Sequence, residues 1–375
     1  MDIGGRIRAA REELGITQAA LADAVGVPRE AVSRMESGER AVKVGELASL
    51  ARELVRPVAY FLTDEAPARL AVGAYRATKA DHGSKRAELW LRLRLGDFVH
   101  LCREIGLKQD LPSIMVTGGG IAAAQAAARV VRDLARIGSA PVADLRGLVE
   151  SVFNVPVFGR QIEASSGLSG MILFDGETGL AVMLIRADEY DARRRFTLGH
   201  ELGHYLWRRA RGELSPSVLV SSGYCLAGSE EEERFANAFA AELIAPEEGI
   251  CAYMAETALD VADAEHLMRL ATHFGISFQA TTYRLQSIGL LDAAVAERLR
   301  AETRPTQLNG FRDAPGLFAL QSALFHSLVV RAYAVDSLDA GRCAEMLELT
   351  TAEFVDMVDD TNHDSLSATW LTSVS

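Results

Sequence analysis

Closely spaced cysteines are missing from this 375-residue chain: Cys102, Cys225, Cys251 and Cys343 form no CxxC pair. Their spacing excludes a disulfide framework and a cysteine zinc knuckle, and it suits buried thiols in a reducing compartment. A long apolar run is missing too. The most tempting stretch, residues 114–131, holds three glycines, Gln125 and Arg129, and it is rich in Ala where a membrane span would be rich in Leu. The opening MDIGGRIRAAREELG lacks the apolar core of a secretory signal, so no membrane partner and a cytoplasmic location are expected. Nor is there a phosphate cradle, because Gly118, Gly119 and Gly120 stand outside any GxGxxG or GxxxxGK framework.

Positive charge is scarce. The formal net charge is −12, which averaged over a surface repels nucleic acid. Residues 1–62, however, carry nine basic and nine acidic side chains, so the negative excess lies beyond them. A nucleic-acid module there must gather its few cations on one face. What remains is ordinary globular composition, 49% apolar and 24% charged, in a chain long enough for two or three domains.

In the first segment, Ile7, Ala10 and Leu14 share one face of a short helix that Gly15 ends. Thr17 caps a second helix, reaching Val25 and broken by Gly26. Pro28 suits the first turn of a third helix, with Ala31, Val32 and Met35 inward. Val44, Leu47, Ala48, Ala51 and Leu54 form a fourth stripe before Pro57. Two short helices around a glycine turn, set among supporting helices, predict a helix-turn-helix. Gln18 then opens the scaffold helix, while Arg29, Ser33 and Arg34 lie outward on the next one, with Arg40 and Lys43 in the following turn. Such side chains suit base edges and phosphates; a solvated helix face is the alternative. TQAALADAVGVPREAVSRMESGER resembles the XRE family of phage-repressor-type helix-turn-helix domains. That resemblance implies DNA binding, commonly as a dimer, with Gln18, Arg29, Ser33 and Arg34 in contacting positions and Glu36 structural.

Glu88 to Leu101 predict a docking helix, and Ala122 to Leu134 another. From Val155 the period changes. Residues 155–158, 170–174 and 180–185 are short, apolar and divided by Asp175, Gly176 and Gly179, which predicts a small antiparallel sheet.

The main chemical signal follows it. In RFTLGHELGH, His200 and His204 are four residues apart, so on a helix both imidazoles project from one side and can meet a single ion. Neutral imidazole suits zinc. Glu201 is adjacent but differently directed, placed to take the proton of an attacking water and return it to a leaving amine. Gly203 leaves space around the site, and Phe196, Leu198, Leu202 and Leu206 anchor the helix. A chance histidine pair on a surface helix is the rival reading, and a third ligand argues against it. The run Glu230 to Leu243 reads as a second helix, on which Glu233 shares a face with Asn237. Glu233 is the chosen ligand, with Glu230 and Glu232 as fallbacks.

RRFTLGHELGHYL followed by EERFANAFAAELIAP closely resembles the ImmA/IrrE family of zinc metallopeptidases, over about Asp144 to Leu291. That resemblance implies zinc as cofactor, His200, His204 and Glu233 as ligands and Glu201 as the catalytic base. Gly199 stands where Ala is usual, and Ile244-Ala245-Pro246 replaces the common Leu-Met-Pro. Tyr224 and Tyr205 are the candidates for a transition-state hydrogen-bond donor.

Further helices are expected from His266 to Phe274, Thr282 to Leu291 and Leu317 to Ala334, with a connection over residues 301–315. Residues 332–357 resemble a small helical element that follows the peptidase unit in regulator-type relatives, suited to DNA, a partner or a second subunit. Residues 361–375 read as a loose tail.

The expected architecture is α+β and mostly helical. It comprises an all-α helix-turn-helix bundle over 1–62, a helical linker over 63–140, a zincin-like domain with a small antiparallel sheet over 141–300, and a helical region over 301–375. Together the two resemblances imply a regulatory zinc metalloprotease acting in transcription and stress response. Its implied partners are double-stranded DNA, a repressor or other regulatory protein as substrate, and a second copy of the chain. The alternative is a transcriptional regulator whose metallopeptidase-like domain is sensory or structural.

Overall fold

The computed structural model describes residues 2–62, 82–107, 112, 114, 116, 118, 120–162, 166–213, 218–222, 229–302 and 321–363. Much of the expected linker, Tyr224, the connection after Glu302 and the tail after His363 lie outside them. The chain divides into two compact units. One draws on Met1–Gly106, Glu163–Ser166 and Leu328–Ser375, the other on Leu107–Ile162 and Gly167–Ser327.

The first unit opens with α1 (Ile3–Leu14), α2 (Gln18–Val25), α3 (Arg29–Glu36), α4 (Val44–Glu53) and α5 (Val58–Leu62). The expected punctuation is present: Thr17 Oγ1 accepts from the Ala20 amide at 3.1 Å, and Gly15 and Gly26 adopt left-handed φ of 72° and 70°. Pro28 sits one place earlier than expected, at the N-cap of α3. Ile7, Leu14, Leu21, Val32, Met35, Leu50 and Phe61 are buried. α1 and α3 meet closely, since a Cβ on Gly4 would lie 2.3 Å from the Met35 carbonyl oxygen. Two positions of the fourth apolar stripe are exceptions: Val44 and Ala48 face outward, Val44 being 87% exposed. Val44 stands in the first turn of α4 and Ala48 at the edge of the stripe whose centre buries Leu47, Leu50 and Ala51.

α6 (His82–Glu104) is the expected docking helix. Within the same unit Trp90 donates from Nε1 to Glu348 at 2.5 Å, and Asp97 accepts from Arg342 at 2.7 Å. These partners belong to α16 (Ala340–Leu347) and the turn before α17 (Thr351–His363). α16 and the turn after it repeat the capping pattern of α2 and the turn before α3. Asp339 caps α16 as Thr17 caps α2, and Glu348 takes the left-handed place of Gly26. Leu349 bonds back to the Ala344 carbonyl at 2.9 Å as Val27 does to Ala22 at 3.0 Å. Charge separates the two motifs: α17 exposes Glu353, Asp356, Asp359 and Asp360, a face that repels phosphate. α17 also extends through His363, past the expected start of the tail.

The second unit holds α7 (Gly120–Leu134), α8 (Leu145–Phe153), β1 (Val157–Arg160), β2 (Leu168–Phe174), β3 (Ala181–Arg186), α9 (Asp191–Ala210), β4 (Val218–Ser222) and α10 (Glu230–Ile244). α11 (Glu247–Thr257), α12 (Ala264–Phe274), α13 (Phe278–Ser287) and α14 (Ala293–Glu302) follow, and α15 spans Ala323–Ala334. The sheet order is β1-β3-β2-β4. β2 pairs antiparallel with β3, as expected, and with β4, a strand after α9 that the sequence did not indicate, whereas β1 pairs parallel with β3. The sheet is therefore mixed. β3 lies between β1 and β2 in the sheet, so the chain reaches it only after β2 and runs beside β1 in the same direction.

α9 lies against β2, where a Cβ on Gly170 would come within 2.5 Å of Thr197 Cγ2. The helix buries Leu198, Leu202 and Leu206 in the core shared with Ile172 and Phe174, and Tyr205 stacks on Phe174 with ring centroids 5.8 Å apart. α10 runs alongside. Arg132 of α7 donates to the carbonyls of Gly138, Ala140 and Leu243, and Arg284 of α13 pairs with Glu242, so the C-terminal end of α10 is fixed by buried cations. Among the described residues no helix is long and apolar enough to cross a membrane.

Candidate metal centre

Two helices build the site. On α9 the four-residue spacing brings His200 and His204 together, with Nε2 atoms 3.0 Å apart. From α10, Glu233 reaches His200 Nε2 with Oε2 at 3.5 Å and His204 Nε2 with Oε1 at 3.4 Å. One ligand atom from each of the three lies within 4.8 Å of the others. Metal–ligand bonds of roughly 2.0–2.1 Å at tetrahedral angles separate ligand atoms by about 3.3 Å. The Nε2–Nε2 distance and the shortest contact of each imidazole with the carboxylate lie near that value, the two carboxylate contacts being made by different oxygens, so the donor set fits a divalent cation. Both histidines are buried, while the Glu233 side chain is 36% exposed and forms the open side.

Glycine makes this approach possible. A Cβ on Gly203 would stand 2.8 Å from Ala236 Cα, and one on Gly199 would stand 3.2 Å from Ala240 Cβ. The space that Gly203 was expected to leave around the site is taken by the backbone of α10, which carries Glu233. Glu201 is fully buried next to this cluster. Tyr205 is not a donor to the site, since it is buried against Phe174 and Phe153 with its hydroxyl accepting from Arg209 at 3.2 Å. Of the fallback ligands, Glu230 is exposed and Glu232 bonds to the opposite nitrogen of His204.

In the helix-turn-helix, Arg29, Ser33, Arg34 and Lys43 are exposed around α3 and the turn after it. Two expected contact residues are engaged internally. Gln18 donates to Glu36 Oε2 at 2.8 Å, joining a buried pair in which Arg11 Nε lies 2.6 Å from Glu36 Oε1. Arg40 binds Glu46 at 2.6 Å, and Glu46 also accepts from the Lys43 amide at the start of α4.

Residues 159–286 match the peptidase family model described as an IrrE N-terminal-like domain, and residues 7–61 match a helix-turn-helix model. The chain is an N-terminal helix-turn-helix domain fused to an IrrE-like peptidase domain. No curated protein matches it.

Within the IrrE-like domain the electrostatics separate the two histidines. Burial, followed by the charge of His204, pushes His200 down to about 4. Burial also acts against a charged His204, but the hydrogen bonds it donates to Glu232 and Glu233 and the charge of Glu201 outweigh it and lift His204 to about 9. Without a cation, the pair therefore holds one proton near neutrality. Glu233 is held below the ordinary carboxylate range, first by its hydrogen bond to His204. Glu232 is buried, which favours its neutral form, yet His204 and Arg208 keep it low as well.

The helical spacing puts Asn237 on one face with Glu233, but nothing in the sequence shows that its Oδ1 lies 3.1 Å from His200 Nδ1. Arg208, which binds Glu232, was missed altogether. The available signal was one more helical turn, since Arg208 follows His204 by four residues on α9.

Proposed function

We propose that this chain is a DNA-binding regulatory zinc metalloprotease that hydrolyses a peptide bond in a regulatory protein, a helix-turn-helix repressor in the simplest case. The reading rests on one observation above the others: His200 Nε2, His204 Nε2 and the Glu233 carboxylate converge, one ligand atom from each lying within 4.8 Å of the others, with the Glu201 carboxylate buried beside them and outside the ligand set. Zinc suits two imidazoles and one carboxylate with a fourth position open. When bound, the ion supplies Lewis acidity that brings a water's pKa toward neutrality and polarises the scissile carbonyl.

The protein's own groups supply the rest. Glu201 accepts the proton of the attacking water and delivers it to the departing amine nitrogen. His200 and His204 stay neutral and present Nε2. Glu233 brings a negative charge from α10, and its exposed side leaves a path for a peptide. The exposed Arg29, Ser33, Arg34 and Lys43 support DNA binding, Arg29 and Arg34 as cations for phosphates or base edges. Gln18 and Arg40 serve the fold of that domain through Glu36 and Glu46.

Fusion to a DNA-reading domain favours a second reading, in which the IrrE-like domain senses a metal or a partner and transcriptional control is the output. A comparison of wild type with Glu201→Gln separates the two. Zinc content and cleavage are measured across a panel of helix-turn-helix repressors from the host. Zinc in both proteins, with cleavage of one repressor in wild type alone, supports the protease. Zinc in both with no cleavage of any candidate supports the sensor and sinks the protease.

A further inference from the structure

The face of each imidazole turned away from the cluster is also occupied, and by the same helix. Glu232 Oε1 lies 2.9 Å from His204 Nδ1 and Asn237 Oδ1 lies 3.1 Å from His200 Nδ1. α10 thus carries three consecutive services over less than two turns: Glu232 behind one ligand, Glu233 as a ligand, and Asn237 behind the other. The outer partners differ in kind. Asn237 offers His200 a neutral amide oxygen at the exposed edge, whereas Glu232 is 3% exposed and gives His204 a buried carboxylate. That carboxylate is itself forked by Arg208, with Nε 2.8 Å from Oε1 and Nη2 3.2 Å from Oε2.

Burying a carboxylate is expensive unless its oxygens are matched. Here both are matched, by a ligand histidine and by an arginine one turn beyond that histidine. The arrangement leaves Nδ1 of His204 as the hydrogen-bond donor and Nε2 as the lone pair facing the cluster. A carboxylate on the far nitrogen also makes the imidazole a stronger donor to a metal.

We infer that Glu232, clamped by Arg208, is a positioning residue that fixes the ring orientation and tautomer of His204 and thereby sets the metal affinity of the site. This rests on the metal-site reading above and deepens it: Glu232 acts through His204 and does not ligate. Asn237 plays the weaker, uncharged counterpart on His200. Arg208 acts by holding Glu232.

The test uses the full chain and zinc alone, titrated against a chromophoric chelator, with cobalt substitution as a spectroscopic check and thermal melting in excess chelator as a check on the metal-free fold. Glu232→Gln is expected to bind zinc roughly 10–100-fold more weakly and to shift the cobalt d–d bands, while the metal-free protein still melts cooperatively. Arg208→Gln is expected to show a smaller loss, and Glu232→Gln with Arg208→Gln together to be no weaker than Glu232→Gln alone, because the arginine influences the metal through Glu232. Wild-type zinc affinity and an unchanged cobalt spectrum in Glu232→Gln overturn the inference while leaving the metal site standing. Losses of affinity that merely track loss of the metal-free fold in both single variants make the pair structural and also overturn it. A wild-type chain that binds no zinc removes the metal reading itself, and the inference with it.

Discussion

Replacing Gly203 with alanine tests how closely the two site helices must approach. The new Cβ would meet Ala236 Cα at 2.8 Å, with the Ala236 carbonyl oxygen and Cβ each at 3.3 Å. Carbon atoms in contact sit about 3.5–4.0 Å apart, so α9 and α10 must separate locally by roughly 0.7 Å or more. Ala236 cannot yield by trimming its side chain, because the clash is with its backbone. Glu233 and Glu232 lie within one turn of Ala236 and move with it, whereas metal–ligand distances tolerate only about 0.2 Å. Overpacking of this kind costs about 1–3 kcal/mol, and replacing a helical glycine with alanine returns about 1 kcal/mol. The fold therefore survives with a net loss of up to about 2 kcal/mol, while zinc affinity is expected to fall about tenfold or more, a decade being about 1.4 kcal/mol. Chelator competition reads the affinity, and melting without metal reads the fold. Gly199→Ala is the control: its Cβ would stand 3.2–3.3 Å from Ala240, a gap that a few tenths of an ångström relieve, so both readouts should stay near wild type. A Gly203→Ala protein with wild-type melting and wild-type zinc affinity refutes the close-approach argument.

Other perturbations probe separate parts. Glu233→Ala is expected to abolish stoichiometric zinc binding, and chelation of wild type to lower its melting temperature, by an amount equivalent to about 4 kcal/mol if zinc had been present at a thousand times its dissociation constant; an unchanged melting curve on chelation contradicts this. In the metal-free protein, His204 is raised from 6.5 to about 9, so its stabilisation is full below about 6.5 and is lost as pH rises toward 9. His200 is lowered to about 4, so the unfolded chain binds the extra proton first and stability falls as pH drops from about 6.5 toward 4. Chelator-treated protein should therefore be most stable near pH 6.5 as far as this pair governs it. Zinc uptake should release a proton and tighten with pH up to about 9. pH-independent zinc affinity over that range speaks against the shared-proton description. Arg29→Ala and Arg34→Ala should each weaken DNA binding and, where the side chain meets a phosphate, reduce the salt slope by about 0.9 with zinc content unchanged; intact DNA retention in both removes α3 from the interface.

Much of the fold could be read because its elements carry local punctuation. Thr17, Gly15 and Gly26 bound their helices through caps and left-handed turns that depend on residue type alone. The metal cluster was legible for the same reason: a four-residue spacing on one helix is a local property, and Glu233 could be chosen by its place in a second motif. What escaped depends on partners distant in sequence. Nothing local in Gln18 or Arg40 says that they are taken by Glu36 and Glu46, and nothing near β1 says that it pairs parallel with β3 after an intervening strand. Gly203 could be read only as space around the site, because the neighbour that fills that space, Ala236, lies 33 residues along the chain on another helix. Glu232 looked like a spare ligand until its carboxylate was found on Nδ1 of His204, with Arg208 behind it.

The most direct measurement is anomalous diffraction across the zinc absorption edge from crystals of the full chain grown with zinc. One peak per chain is expected, within about 2.0–2.2 Å of His200 Nε2, His204 Nε2 and a Glu233 carboxylate oxygen, with Glu201 outside bonding distance. No peak there, or a zinc ion held by other side chains while the three stay apart, contradicts the account.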